Sequence, residues 1–123
     1  MIEGVVGVII WTEDLDALLA FYRDTLGLKP HSIRPDFVSF KWRGMRLGIG
    51  THSKVTGKTR EPYRVMLNLG VDDIHKEYEA LRARGVKFMR PPELEHWGGW
   101  VSTFSDPDGN TVQLMELPQL QTG

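Results

Sequence analysis

The chain contains no cysteine, which excludes disulfide bonds and thiolate chemistry. It has no excess of charge, since the net charge is −1 at pH 7. The sequence therefore lacks the positive charge that would indicate binding to nucleic acid or an anionic membrane. No apolar run reaches the roughly 18 residues that span a bilayer. The amino terminus, Met1-Ile2-Glu3-Gly4, lacks the basic flank and cleavage site of a signal peptide. We therefore expect a cytoplasmic protein that binds neither nucleic acid nor membrane.

The residues that are present favour one compact domain. The chain has 123 residues, 41% of them hydrophobic, which is enough to form a core. Residues 5–11 are apolar on both faces and predict a strand that is covered on both sides. Asp14 then provides helix-capping chemistry, and leucines and Tyr22 recur at helical spacing until Gly27. Three strands are predicted next, at 28–33, 37–42 and 45–49, with Arg43-Gly44 as the last turn.

The same pattern restarts after a polar stretch, residues 52–62, which reads as a linker. A strand is predicted at 63–71, and Asp72-Asp73 caps a helix that ends at Gly85. A strand at 86–89 is expected to end at Arg90-Pro91-Pro92-Glu93. A final hairpin, strands 100–104 and 111–117, surrounds the turn sequence Asp106-Pro107-Asp108-Gly109-Asn110.

These segments form an internal repeat, since Asp14 and Asp73 occupy equivalent places at an offset of 59 residues. Each half reads β-α-β-β-β, so the predicted fold class is α+β. We expect a single domain over 1–123, with module one at 4–51, the linker at 52–62 and module two at 63–118. Each helix can cover only one face of its sheet, so the other face must be covered or used.

Five motifs mark the two halves of the repeat. They are Asp14-Leu15, Phe21-Tyr22-Arg23-Asp24-Thr25-Leu26-Gly27-Leu28, Val71-Asp72-Asp73-Ile74, Leu81-Arg82-Ala83-Arg84-Gly85-Val86 and Phe104-Ser105-Asp106-Pro107-Asp108-Gly109-Asn110. With these motifs the chain resembles, over nearly its whole length, the vicinal oxygen chelate superfamily, which includes glyoxalase I, extradiol dioxygenases, and fosfomycin and bleomycin resistance proteins.

The resemblance implies two curved mixed sheets around a cleft, completed in a homodimer, and in the enzymes a metal held by His, Gln or Glu. The family's ligand positions fall here on Gly7, Gly48, Met66 and Gln113. Two of these residues have no donor, and Met is a soft ligand that suits the usual divalent ions poorly. We therefore predict neither metal nor cofactor, and place the chain nearest the metal-free, bleomycin-resistance-like branch. Gly7 and Gly48 would leave room where the metal cage would lie.

Strand alternation assigns further side chains to the cleft. Together with the loop 93–100, it predicts a ligand-binding set of Trp11, Arg46, Met66, Asn68, Trp97, Trp100, Gln113 and Met115. The two loop tryptophans could stack on an aromatic or cationic ligand, and Glu95 or His96 could serve as a general base. The competing interpretation is that Met66, Met115 and Ile9 simply pack against each other or a second subunit, and that Trp97 covers the edge of the core.

Three functions remain open at this point. The first is metal-free binding of small aromatic or amphipathic molecules, without chemistry. The second is a glyoxalase- or dioxygenase-like lyase or oxygenase that uses a divalent metal, or a metal-independent enzyme that uses Glu95, His96 or Glu116. The third is a dimer with a structural or regulatory role and no ligand. No catalytic residue can be assigned from the sequence.

Overall fold

The computed structural model describes residues 1–118, so the last five residues of the predicted domain lie outside the described part. The chain divides into two compact units, Met1–Lys58 and Thr59–Gly123. The division falls inside the predicted linker. Each unit consists of a four-stranded mixed sheet with one helical segment, which confirms the predicted α+β class. Over residues 1–118, no helix has the length and apolar character that a membrane span requires.

The first unit has a sheet in the order β1-β4-β3-β2, with β1 parallel to β4 and the other neighbours antiparallel. Its elements are β1 (Gly7–Thr12), α1 (Leu15–Leu19), a π-helical segment (Ala20–Thr25), β2 (Pro30–Arg34), β3 (Phe37–Trp42) and β4 (Met45–Thr51).

The second unit repeats this topology in the order β5-β8-β7-β6, with β5 parallel to β8. Its elements are β5 (Leu67–Gly70), α2 (Ile74–Ala83), β6 (Phe88–Leu94), β7 (Trp100–Ser105) and β8 (Thr111–Glu116). In the first unit Ile9 pairs with Gly48, and at the equivalent place Asn68 pairs with Gln113. The internal repeat predicted from the sequence is confirmed.

Both helical segments begin and end as predicted. Asp14 Oδ1 accepts a hydrogen bond from the Ala17 amide at 3.1 Å, and Asp73 Oδ1 accepts one from the Lys76 amide at 3.2 Å. Each bond satisfies an amide that the first helical turn leaves free. Gly27 and Gly85 follow the helices with φ of 80° and 94°, a conformation that glycine adopts without steric cost.

The first helical segment is not α-helical throughout. After Leu19 it continues as a π-helix, and the Leu26 amide donates to the carbonyl of Phe21, five residues earlier. Tyr22 in this segment is fully buried, as is Leu18 before it. The wider turn thus keeps the predicted apolar positions in the core while changing the backbone pattern.

Each core lies between the helical segment and one face of its sheet. The buried side chains in the first unit include Leu18, Tyr22, Val38, Phe40, Leu47 and Ile49, and in the second unit Ile74, Leu81, Phe104, Val112 and Leu114. Along β4 and β8 these residues alternate with positions on the opposite face, as the period-two pattern predicts. We call that opposite face the open face of each sheet.

The predictions for strands β1 and β5 are wrong in detail. Strand β1 is not covered on both sides in its unit, because Ile9 on the open face is 51% exposed. Strand β5 begins at Leu67 and not at 63. Residues 62–64 form a turn in which the Arg64 amide donates to the Glu61 carbonyl, and Val65, which the predicted strand included, is 77% exposed.

The prolines at 91 and 92 do not end strand β6, which runs from Phe88 to Leu94. This strand lies at the edge of its sheet and pairs only with β7. An edge strand tolerates proline because its outward amides need no partner. The register also shifts between Phe88 and Arg90 and again between Arg90 and Glu93. This irregular pairing with β7 accommodates the two prolines within the strand.

Candidate functional site

The open face of the first sheet carries an aromatic ring that rests on bare backbone. A Cβ atom built on Gly48 would lie 2.4 Å from Cζ of Phe37, and one built on Gly50 would lie 2.7 Å from its Cδ2. Only glycine leaves room for the ring at either position. We call this arrangement of Phe37 over Gly48 and Gly50 the Phe37 platform.

Trp11 extends the platform at one end. Its ring centroid lies 5.9 Å from that of Phe37 at a tilt of 55°, and 5.2 Å from that of His52 in an edge-on contact. The indole is 37% exposed, so part of its surface can meet a ligand. His52 Nδ1 accepts the Lys54 amide at 3.1 Å, which places the ring proton on Nε2 when the imidazole is neutral.

Beside the platform lies a hollow of about 450 Å³, formed entirely by the first unit. Phe37, Ile9 and Gly7 contribute to its lining, and Arg46 is the charged residue of the lining. Ser32 and Ser39 also line the hollow, and their hydroxyl oxygens are 2.7 Å apart. The hollow therefore combines an apolar floor with a few polar groups, a combination typical of small-molecule sites.

The expectation that Gly48 leaves empty space is wrong, because the Phe37 ring occupies that space. Gly7 also leaves little, since a Cβ there would meet the Arg46 carbonyl oxygen at 3.0 Å. Sequence reasoning missed Phe37 as a site residue. The signal was the alternation of Gly48 and Gly50 on one face of a strand, which indicates a large side chain lying across them from the neighbouring strand.

On the open face of the second sheet, the predicted residues Asn68 and Gln113 are direct partners on β5 and β8. Gln113 Nε2 donates to the Thr103 hydroxyl at 3.2 Å, which fixes the amide in place. Met115 follows on the same face and lines a second hollow of about 450 Å³ at the end of β5 and β8. Met66 lies just before β5 and is 39% exposed. These four predicted residues thus belong to one face and its border.

Of the two predicted tryptophans, Trp97 lies in the loop between β6 and β7 and Trp100 is the first residue of β7. Trp97 is exposed and lies over Gly99, where an added Cβ would be 1.9 Å from its ring. Trp100 begins β7 on the helix side of the sheet and meets His75 of α2 edge-on, with 4.7 Å between ring centroids. Because Trp100 lies on the helix side and not on the open face, we do not include it in the site.

Glu95, one of the two candidate bases, is held by an ion pair. Its carboxylate accepts Arg90 Nη2 at 2.5 Å, while Glu93 accepts Arg90 Nε at 3.0 Å. Both bonds raise the pKa of the Arg90 guanidinium, and the bond to Glu95 has the larger effect. These ion pairs fix the loop where the chain leaves β6. They also engage the Glu95 carboxylate, which would have to be free to act as a general base.

The donor set does not fit the metal that the resemblance implies. Gly7 and Gly48 have no side-chain donor, and Gln113 supplies a single amide, itself bonded to Thr103. Across residues 1–118, no three His, Asp or Glu side chains are grouped so as to hold a metal ion. A divalent cation requires several oxygen or nitrogen ligands at once. We therefore derive no step through a metal.

Comparison with known proteins identifies the superfamily of the chain. Residues 4–114 match the model of the Glyoxalase/Bleomycin resistance protein/Dioxygenase superfamily. The chain therefore belongs to this superfamily, which confirms the resemblance seen in the sequence at the level of the superfamily.

Individual relatives agree with this assignment. A superfamily member from Sphaerobacter thermophilus is 30% identical, with a TM-score of 0.70, and the match covers 94% of this chain and 98% of that one. A "glyoxalase-related enzyme" from Fulvimarina pelagi is 22% identical with a TM-score of 0.77, covers 99% of this chain and 94% of that one, and supports the fold alone. Uncharacterized protein YetH of Bacillus subtilis is 26% identical over 121 residues, 94% of this chain and 100% of that one.

Proposed function

We propose that this protein binds small aromatic or amphipathic molecules without a metal, in the manner of the bleomycin-resistance-like branch of its superfamily. The observation that carries the proposal is the Phe37 platform. An aromatic ring that covers two glycines offers an apolar surface for a planar ligand, and stacked or edge-on aromatic pairs contribute about 0.5–1.5 kcal/mol beyond their buried area. The hollow beside the platform gives such a ligand a place within the first unit.

Trp11 and Arg46 of the predicted ligand-binding set border this site. Asn68, Gln113, Met66 and Met115, on the second sheet and at its border, provide amide and thioether groups that suit a second contact region. A binding role is favoured over a metal-dependent lyase or oxygenase because the four expected ligand positions lack a metal-binding set. A homodimer and a cytoplasmic location belong to the same proposal, and the exposed side chains of Ile2 and Val5 suit a surface between subunits.

The platform can be tested by changing a glycine beneath it. In Gly48→Ala the new methyl group would overlap the far end of the Phe37 side chain, which must swing away, while the fold persists because a side-chain end can move. We expect equilibrium dialysis with 2-naphthamide, a neutral planar probe, to show binding by the natural protein that weakens about tenfold in the variant, the upper part of the range for one aromatic contact.

Gly70→Ala is the matched control for the Phe37 platform, because Gly70 lies on β5 of the second unit, where it lines the second hollow, and an added Cβ meets nothing within 4 Å. It should leave the dissociation constant unchanged. Circular dichroism should show both variants folded. Equal binding by the Gly48→Ala protein would rule the platform out as the binding surface, and absence of binding by the natural protein would count against the proposed function itself.

A further inference from the structure

The strands of the first sheet carry no carboxylate at all. Their sequences include Arg34, Lys41 and Arg46 but neither Asp nor Glu. The register places all three cations on the open face: Arg34 is opposite Phe37, and Lys41 is opposite Arg46. None of the three takes part in an ion pair with another residue of the described chain. The open face is therefore positively charged without internal compensation.

Of these three cationic residues, Arg46 is the one that lines the hollow. It lines the hollow with Phe37 and Ile9, and it lies opposite Gly7 on the neighbouring strand, where no side chain competes for its guanidinium. The carboxylate nearest in sequence to the platform is Asp36, in the turn before β3. The Asp36 carbonyl accepts a hydrogen bond from the Thr51 amide at the end of β4. Thr51 lies about 16 Å along β4 from Arg46, so Asp36 is held at the opposite end of the strand.

The two serines of the hollow add a hydrogen-bond donor. Ser32 and Ser39 lie opposite one another on β2 and β3, and their oxygens are 2.7 Å apart. One hydroxyl donates to the other, so the accepting serine keeps its own proton for a third group. A guanidinium and a hydroxyl proton beside an apolar ring together match a negatively charged oxygen attached to a planar apolar body. Guanidinium groups bind carboxylates particularly well, because two parallel N–H bonds can form.

We propose that the hollow of the first unit selects aromatic anions, with the carboxylate of the ligand bound by Arg46 and its ring placed against Phe37. This inference rests on the proposed function and names the ligand class for the same site. It predicts a preference for negative charge that a purely apolar surface would not show.

The test compares three probes that share one ring system: 2-naphthoate, 2-naphthamide and 2-naphthylmethylamine. Isothermal titration calorimetry at low ionic strength should show 2-naphthoate binding roughly fivefold to tenfold more tightly than the amide, since a charged hydrogen bond to an exposed arginine is partly screened by water. The cationic amine should bind most weakly. Added salt should reduce the advantage of the anion.

Arg46→Gln should weaken binding of 2-naphthoate roughly fivefold to tenfold and binding of the amide much less, so that the ratio of the two dissociation constants comes close to one. Arg43→Gln removes the same charge from the neighbouring turn, outside the hollow, and should keep the ratio of the natural protein. Equal affinity for anion and amide in the natural protein, or an unchanged ratio in Arg46→Gln, would overturn the inference and leave the proposed function standing. Failure of all three probes to bind would remove both.

Discussion

Phe104→Ala is expected to lower the free energy of unfolding by about 4 kcal/mol, the usual cost of replacing a buried phenylalanine with alanine. Phe104 is fully buried in the second unit. Its ring meets Phe88 edge-on, with 5.2 Å between centroids, and Phe88 in turn meets Tyr78 of α2 at 4.5 Å. Removing the ring leaves a cavity between the sheet and α2 that the rigid strands cannot close. Urea unfolding followed by circular dichroism would measure the loss.

Two further variants separate the cavity from other effects. Phe104→Leu keeps much of the volume and should cost well under half as much. Tyr63→Ala removes an aromatic ring that is 66% exposed and should change stability by less than about 1 kcal/mol. A Phe104→Ala protein as stable as the natural one would show that Phe104 does not hold this sheet to α2.

Asp106→Ala is expected to cost about 3 kcal/mol, because one buried carboxylate organises the whole turn between β7 and β8. Its Oδ1 accepts from the amides of Asp108 at 2.9 Å and Asn110 at 3.0 Å, and its Oδ2 accepts from the Asn110 side chain at 2.9 Å. Hydrogen bonds to a charged group each contribute more than neutral ones. Thermal unfolding should show a fall of roughly 10 °C.

Asp36→Ala provides the comparison, since Asp36 also occupies a turn between strands but is exposed and makes no side-chain hydrogen bond among the described residues. Its effect should stay within about 0.5 kcal/mol. Asp106→Asn keeps two acceptor lone pairs on one oxygen and should lose about half of what alanine loses. Equal melting temperatures for the Asp106→Ala and Asp36→Ala proteins would contradict the role assigned to the carboxylate.

Much of the fold follows from local chemistry in the sequence. The capping aspartates Asp14 and Asp73, and Gly27 and Gly85 after the helices, determine where the helical segments begin and end. The repeat of these signals predicts two modules of one topology, and this prediction is confirmed. The errors arise where sheet position outweighs local preference. Residues 90–93 would interrupt a central strand, but an edge strand tolerates their prolines. The sequence alone does not show which strand lies at the edge of the sheet.

The site was predictable only in part, because strand alternation gives the face of a side chain but not its neighbours. Alternation correctly places Trp11, Arg46 and Gln113 away from the core. It would also have placed Trp100 on the helix side, since Trp100 lies four residues before the buried Phe104 on the same strand. Phe37 could not be assigned without the pairing of β3 with β4, which sets its ring over the two glycines.

The most direct test of metal-independent binding is a calorimetric titration of 2-naphthoate into protein that has been treated with a chelator and dialysed. We expect saturable binding of one ligand per chain, with the same dissociation constant before chelation, after chelation and after zinc is returned. Binding that disappears with the chelator and returns with the metal would contradict metal-independent binding. It would place a metal centre among residues that, within 1–118, show no such grouping.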